Sequence, residues 1–254
     1  MKQLTLAASV ALMFATGAAQ AALVDEHNGQ LYDNVTGLVW LQDANLAKTN
    51  TFGVSGIDAN GYMYWNTANS WISAMNAADY LGHNDWMLPT TAPVAGGNNW
   101  NYNSNFKGTT DVGYNITSQA SQLGYMYYQN LGLKAYMSPT GTFPSGFGAM
   151  GNGTYGAGVQ RNVGLVNNLQ SYAYWSGTAY APSPTNVAWA FATSFGNQGG
   201  GFQDMANAAW AVRPATAAEI ATYGVAAVPE PETYAMLLAG IGLLGLTRRR
   251  RKSA

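Results

Sequence analysis

Few side chains in this 254-residue sequence are spaced to do covalent chemistry. It has no cysteine, which excludes disulfides, thiolate metal ligands and cysteine nucleophiles. His27 and His83 are its two histidines. A Ser-His-Asp unit would need His83 with Asp79 or Asp85 and a distant serine, and no nucleophile-elbow sequence provides one. His83 reads instead as a polar residue in the loop after a helix. Paired carboxylates for glycoside hydrolysis would come from Asp43, Asp79, Asp85, Asp111 or Asp204. Spacing alone brings no two of them together, and caps, turns and solvation account for each. Asp58-Ala59-Asn60-Gly61 offers part of a calcium loop without a third ligand or a bidentate glutamate, and an Asx turn explains it equally well. No metal and no cofactor are expected.

Binding chemistry is better represented. Aromatic faces stack on sugar rings, and Asn, Asp and Gln supply planar hydrogen-bonding groups. All eight tryptophans lie between residues 22 and 227. Trp40, Trp71, Trp86, Trp175, Trp189 and Trp210 sit among apolar neighbours and are expected to build the core. Trp100 and Tyr102 lie in the loop Asn98-Asn99-Trp100-Asn101-Tyr102-Asn103, which has no apolar periodicity. They are the candidate ligand-binding residues.

The elements that must position these groups can be read coarsely. Gln30 to Asp33 and Leu38 to Leu41 flank an Asp-Asn-x-Thr-Gly turn and predict a β-hairpin. Trp71, Ile72, Met75, Ala78 and Leu81 recur at helical spacing, predicting a helix from Thr67 to Leu81 with Asn66 or Thr67 as cap and Gly82 at its end. A second helix is expected from Ser118 to Leu131, stopping at Gly132. Tyr172 to Ser176, Val187 to Phe195 and Ala208 to Val212 are rich in Trp, Tyr and Val and predict strands. Residues 92–113 and 138–164 are rich in Asn and Gly and read as long loops.

Charge separates this body from its ends. Only 9% of residues are charged, against roughly a quarter in an average soluble domain. The formal charge of -1 combines unlike parts. Within residues 22–227 the cations are Lys48, Lys107, Lys134, Arg161 and Arg213, set against ten acidic residues, a balance of about -5. Without a basic cluster, sequence-independent nucleic-acid binding is excluded.

The first 21 residues have the order of a secretory signal: Lys2, an apolar stretch from Leu4 to Ala18, then Ala19-Gln20-Ala21 as a small-x-small site for signal peptidase. At the other end, Val228-Pro229-Glu230-Pro231-Glu232 precedes an apolar run from Tyr234 to Leu246 and the cluster Arg248-Arg249-Arg250-Arg251-Lys252. As a helix that run covers roughly 20 Å of a roughly 30 Å hydrocarbon core, marginal for a permanent anchor. The basic cluster predicts a C-terminus held on the cytoplasmic side while the body is exported.

This C-terminal order closely resembles the PEP-CTERM sorting signal of exopolysaccharide-secreting Gram-negative bacteria. The resemblance implies recognition through Pro229, Glu230 and Pro231, and cleavage near them by an exosortase, with transient passage through the inner membrane. In the body, Asp33-x-x-Thr36-Gly37-Leu38-Val39-Trp40-Leu41, Asp85-Trp86-Met87-Leu88-Pro89-Thr90, Tyr174-Trp175-Ser176-Gly177-Thr178 and Ala209-Trp210-Ala211-Val212-Arg213-Pro214 follow in series. The series, over about residues 30–214, resembles the domain of unknown function typified by the C-terminal domain of the Legionella collagen-like protein. That resemblance implies an α+β fold related to C-type lectin-like and sulfatase-modifying-factor domains, with short twisted sheets, two main helices, long Gly- and Asn-rich loops, and paired first and last strands. Hydrophobic signal helices would flank it. Met87 replaces the arginine usual in the second motif, so any ion pair made by that arginine is missing here. The sulfatase-modifying chemistry relies on cysteines and does not transfer.

The expectation is therefore three parts: a cleaved signal at 1–21, an exported α+β body at 22–227, and a sorting signal at 228–254. The body would be a non-enzymatic surface or matrix component associated with exopolysaccharide or biofilm. A carbohydrate-binding module for self or matrix polysaccharide is the alternative, and a glycoside hydrolase stands behind both.

Overall fold

A computed structural model describes residues 23–224. The signal segment with Ala19 and Ala21, and the sorting segment with Pro229, Glu230, Pro231 and Arg248, Arg249, Arg250 and Arg251, lie outside the described residues, as do the two expected hydrophobic helices. No helix among the described residues is long and apolar enough to cross a membrane. In chain order the elements are β1 (Leu23–Asp25), β2 (Gln30–Asp33), β3 (Leu38–Leu41), α1 (Trp65–Ala77), β4 (Ser104–Asn105), β5 (Val112–Tyr114) and α2 (Gln122–Tyr125). There follow β6 (Gln160–Val163), β7 (Val166–Gln170), β8 (Ala173–Ala179), β9 (Val187–Ala192), β10 (Asn197–Phe202), β11 (Val212–Pro214) and α3 (Ala217–Tyr223). The described chain is a mixed α+β protein dominated by short strands. It forms two compact units divided between Ala215 and Thr216.

In the first unit, β1, β2, β3 and β11 form an antiparallel sheet in that order. The predicted hairpin is its centre. Asp33 explains the turn, because its Oδ1 accepts the N–H groups of Val35 and Thr36 at 3.0 and 3.2 Å while Gly37 turns at φ +67°. The last strand therefore joins the N-terminal sheet, but beside β3, with β1 at the opposite edge. A second sheet has the order β4-β5-β10-β9-β8, antiparallel except for the β4–β5 pair, and β6 and β7 form a separate hairpin. Gly113 in β5 sits at φ +118°, and a Cβ there would collide with the Asn105 backbone, so β4 packs closely only against glycine.

The first helix departs from its predicted bounds at both ends. Trp65–Ala77 is capped by Tyr64 without a side-chain hydrogen bond, so neither Asn66 nor Thr67 is the cap. Its end comes early because Asp79 and Leu81 take left-handed φ values of +51° and +57°. Asn76 then binds the Trp86 backbone through both its amide atoms, at 2.9 Å each, and Trp86 Nε1 donates to the Tyr80 carbonyl. These bonds fold the chain back where a longer helix would have continued. The buried stripe is Ala68, Trp71, Ile72 and Met75. The second expected helix is shorter too. Ser121 caps α2, and a π-helical turn over Met126–Asn130 carries the chain to Gly132.

Of the predicted strands, β8 and β9 appear, with β9 ending at Ala192 and not Phe195. The Ala208 to Val212 run is a correction: only Val212 belongs to a strand. Ala208 bridges Tyr174, Ala211 accepts from Leu41, and Trp210 Nε1 donates to the Leu41 carbonyl at 2.7 Å. The segment crosses from one sheet to the other, and all four residues from Ala208 to Ala211 are buried, so the alternation of a half-buried strand is absent. All six tryptophans assigned to the core are at most 2% exposed. Trp40 and Trp210 meet at 4.8 Å between ring centroids where the two sheets join.

In the second unit, α3 is a separate short helix. Thr216 and Glu219 form its capping box, each accepting the other's backbone N–H.

Candidate functional site

Two of the carboxylates considered for catalysis, Asp43 and Asp111, hold backbone amides, as does Asp58 of the calcium-like segment. Asp43 Oδ1 accepts from Asn45 N and from Asn168 Nδ2. Asp58 Oδ1 accepts from Asn60 N and Tyr62 N, at 2.8 and 2.9 Å, which makes the Asp58–Gly61 segment an Asx turn with Gly61 at φ +87°. Asp111 is buried, and its two oxygens hold the N–H groups of Val94 and Asn101. His83 meets the edge of Trp86 with centroids 6.2 Å apart, and His27 is exposed beside Asp25 at 3.6 Å. Among the described residues no group of three or more His, Asp or Glu is placed to hold a metal ion.

Trp100 and Tyr102 come together, with planes within 12° of each other and centroids 6.0 Å apart. Both lie parallel to Trp189, at 5.1 and 6.2 Å, and Tyr180 meets Trp189 and Tyr102 on edge. Asp111 fixes this loop by binding the N–H of Asn101 between them. Trp100 and Tyr102 are therefore half-buried covers over fully buried Trp189, a packing role that loop composition did not reveal. Desolvation, followed by the neighbouring Tyr180 and Asp111, raises the Tyr102 phenol above its ordinary range. The indole N–H of Trp189 has no hydrogen-bond partner among the described residues, so stacking holds that ring.

The structure also forms a cleft that the sequence did not announce. It encloses about 540 Å³ between the start of α1, the loop from β8 to β9 and the end of β10. Tyr64 and Phe202 are among its lining residues, with 54% and 62% of their surfaces exposed. Asn66, Asn186, Gln203 and Asp204 supply amides and a carboxylate, and Thr67, Ser183 and Thr185 supply hydroxyls. Its frame is hydrogen-bonded. Trp65 N donates to the Gln203 carbonyl at 3.0 Å, Gln203 N to Asn186 O at 2.8 Å, and Gln203 Nε2 to Pro184 O at 3.0 Å. Gln203 is thus a wall that ties helix, loop and strand together. Of the catalytic candidates, only Asp204 lines this cleft. The available signal was Gly199-Gly200-Gly201-Phe202, where glycines let Trp175 and Tyr180 approach and leave the next aromatic without a strand neighbour of its own size.

Two segments of the chain match family models. Residues 29–136 match the Lcl C-terminal domain, and residues 227–252 match the PEP-CTERM protein-sorting motif. The first match ends before the Tyr174 and Ala209 motifs, which β8 and β11 nevertheless bring into the same unit as the matched segment. No curated protein matches the chain, and no solved structure does.

Proposed function

We propose that this is an exported protein whose body, freed from its sorting signal, serves a non-enzymatic role at the cell surface or in the extracellular matrix. The observation that carries this reading is the PEP-CTERM motif at 227–252, which implies an exported protein with an exosortase as its processing partner. Signal peptidase would act after Ala21, and the precursor would pass through the inner membrane with its Arg248–Arg251 cluster on the cytoplasmic side. The exopolysaccharide or biofilm role is what the likeness to PEP-CTERM proteins implies, and a low-charge body rich in amides and hydroxyls would suit contact with hydrated polysaccharide. The use of Asp33, Asp43, Asp58 and Asp111 as turn acceptors supports a scaffold over a hydrolase. We read the body as lectin-like in the arrangement of its short sheets and long loops.

A non-permeant protease added to intact host cells should degrade the body while a cytoplasmic marker survives. Full protection of the body until the cells are broken would overturn the surface assignment. A second reading, carbohydrate binding by the body, is favoured by the cleft with its two exposed aromatic rings.

A further inference from the structure

We infer that the Tyr64–Phe202 cleft is a binding site for a neutral saccharide, entered by one or two rings of a longer chain. The inference rests on the carbohydrate-binding reading and moves its location away from Trp100 and Tyr102. Those two rings each have a face against Trp189, so they are part of a packed cluster. Tyr64 and Phe202 differ, because both expose more than half of their surface in a cleft of the size usual for small-molecule sites. The bond from Trp65 N to the Gln203 carbonyl joins the residues that follow each ring, so the two rings are held on one frame.

Polar groups set the ligand class. Gln203 Nε2 is occupied by the carbonyls of Pro184 and Val187. Among the described residues, the side chains of Asn66, Asn186 and Asp204 make no hydrogen bond within the protein, which leaves amide donors and acceptors and one carboxylate for a ligand. A polyanion is disfavoured because no Lys or Arg lines the cleft and Asp204 adds a negative charge. A sugar ring meets these demands. Its C–H face stacks on an aromatic ring and its hydroxyls both donate and accept.

Pre-organisation gives the site its purpose. The β8–β9 loop is stiffened by Pro182 and Pro184 and closed by bonds from Ser183 N to Tyr180 O and from Val187 N to Ser183 O. Little order is then lost when a ligand enters.

The test uses the purified full chain in detergent with cellotetraose, maltotetraose, chitotetraose and the purified exopolysaccharide of the host, and with heparin as a polyanion. At least one neutral glycan should bind, and Tyr64→Ala and Phe202→Ala should each weaken it by about tenfold or more. Both positions are exposed, so unchanged thermal unfolding would show that the fold survives. Trp100→Ala should leave affinity unchanged if its unfolding is also unchanged. Neutral-glycan binding that persists in both cleft variants overturns the cleft while leaving the carbohydrate reading in place. Binding of heparin alone overturns the neutral assignment. No glycan binding at all removes both, without touching the export reading, which processing tests separately.

Discussion

Replacing Pro229, Glu230 and Pro231 with alanine abolishes C-terminal processing and leaves the precursor in the membrane fraction. The expected effect is all-or-none, because the substitution removes what distinguishes this tail from an ordinary apolar terminus. Two prolines around a glutamate fix two φ angles, remove two backbone donors and bias the residues before them to extended conformations. Alanine erases these features while keeping the apolar run from Tyr234 to Leu246 and the Arg248–Arg251 cluster. Membrane targeting should therefore persist while recognition by the exosortase fails. Fractionation followed by blotting for the body reads both consequences. Normal processing of the triple variant would remove the exosortase from the account.

The second large effect concerns stability. Arg213 is fully buried, with Nε and Nη2 bonded to Gln30 Oε1 at 3.0 and 2.7 Å and Nη1 to the Pro214 carbonyl at 3.1 Å. Its guanidinium lies 5.4 Å from the Trp86 ring centroid. Arg213 thereby links β11, β2 and the second sequence motif. Arg213→Met keeps much of the aliphatic volume but leaves the buried Gln30 oxygen without these donors, and should destabilise the fold by about 2–4 kcal/mol. At roughly 2–4 °C per kcal/mol for a chain of this size, the thermal midpoint should fall by about 4–16 °C. Adding Gln30→Leu removes the stranded acceptor and should recover part of the loss. A single variant within about 0.5 kcal/mol of the parent would show that the buried guanidinium is not a structural tie.

Legibility in the sequence followed the range of the interactions. The hairpin around Asp33 was legible because one side chain closes its own turn on the amides two and three residues later. The buried stripe of α1 was legible from periodicity, and five of the six core tryptophans join one cluster around it. Its ends were not, since the start is bonded to Gln203, far along the chain, and the end to Trp86, beyond the turn that follows the helix. Ala208 to Ala211 has strand composition, yet contacts with both sheets hold it as a crossing segment. The same distinction holds for the sites. Trp100 and Tyr102 stood out by their polar surroundings, but Trp189, some ninety residues away, covers their faces. Tyr64, Asn186 and Phe202 drew no notice because three separate segments must meet before they share a cleft.

Intact-mass analysis of the protein recovered from its native host tests the central claim most directly. The account predicts a mature species that begins after Ala21 and ends close to Pro229-Glu230-Pro231, without the Arg248–Arg251 cluster, with any added mass at the new C-terminus reporting an attached group. A cell-surface species that still carries Arg248–Arg251 would contradict it.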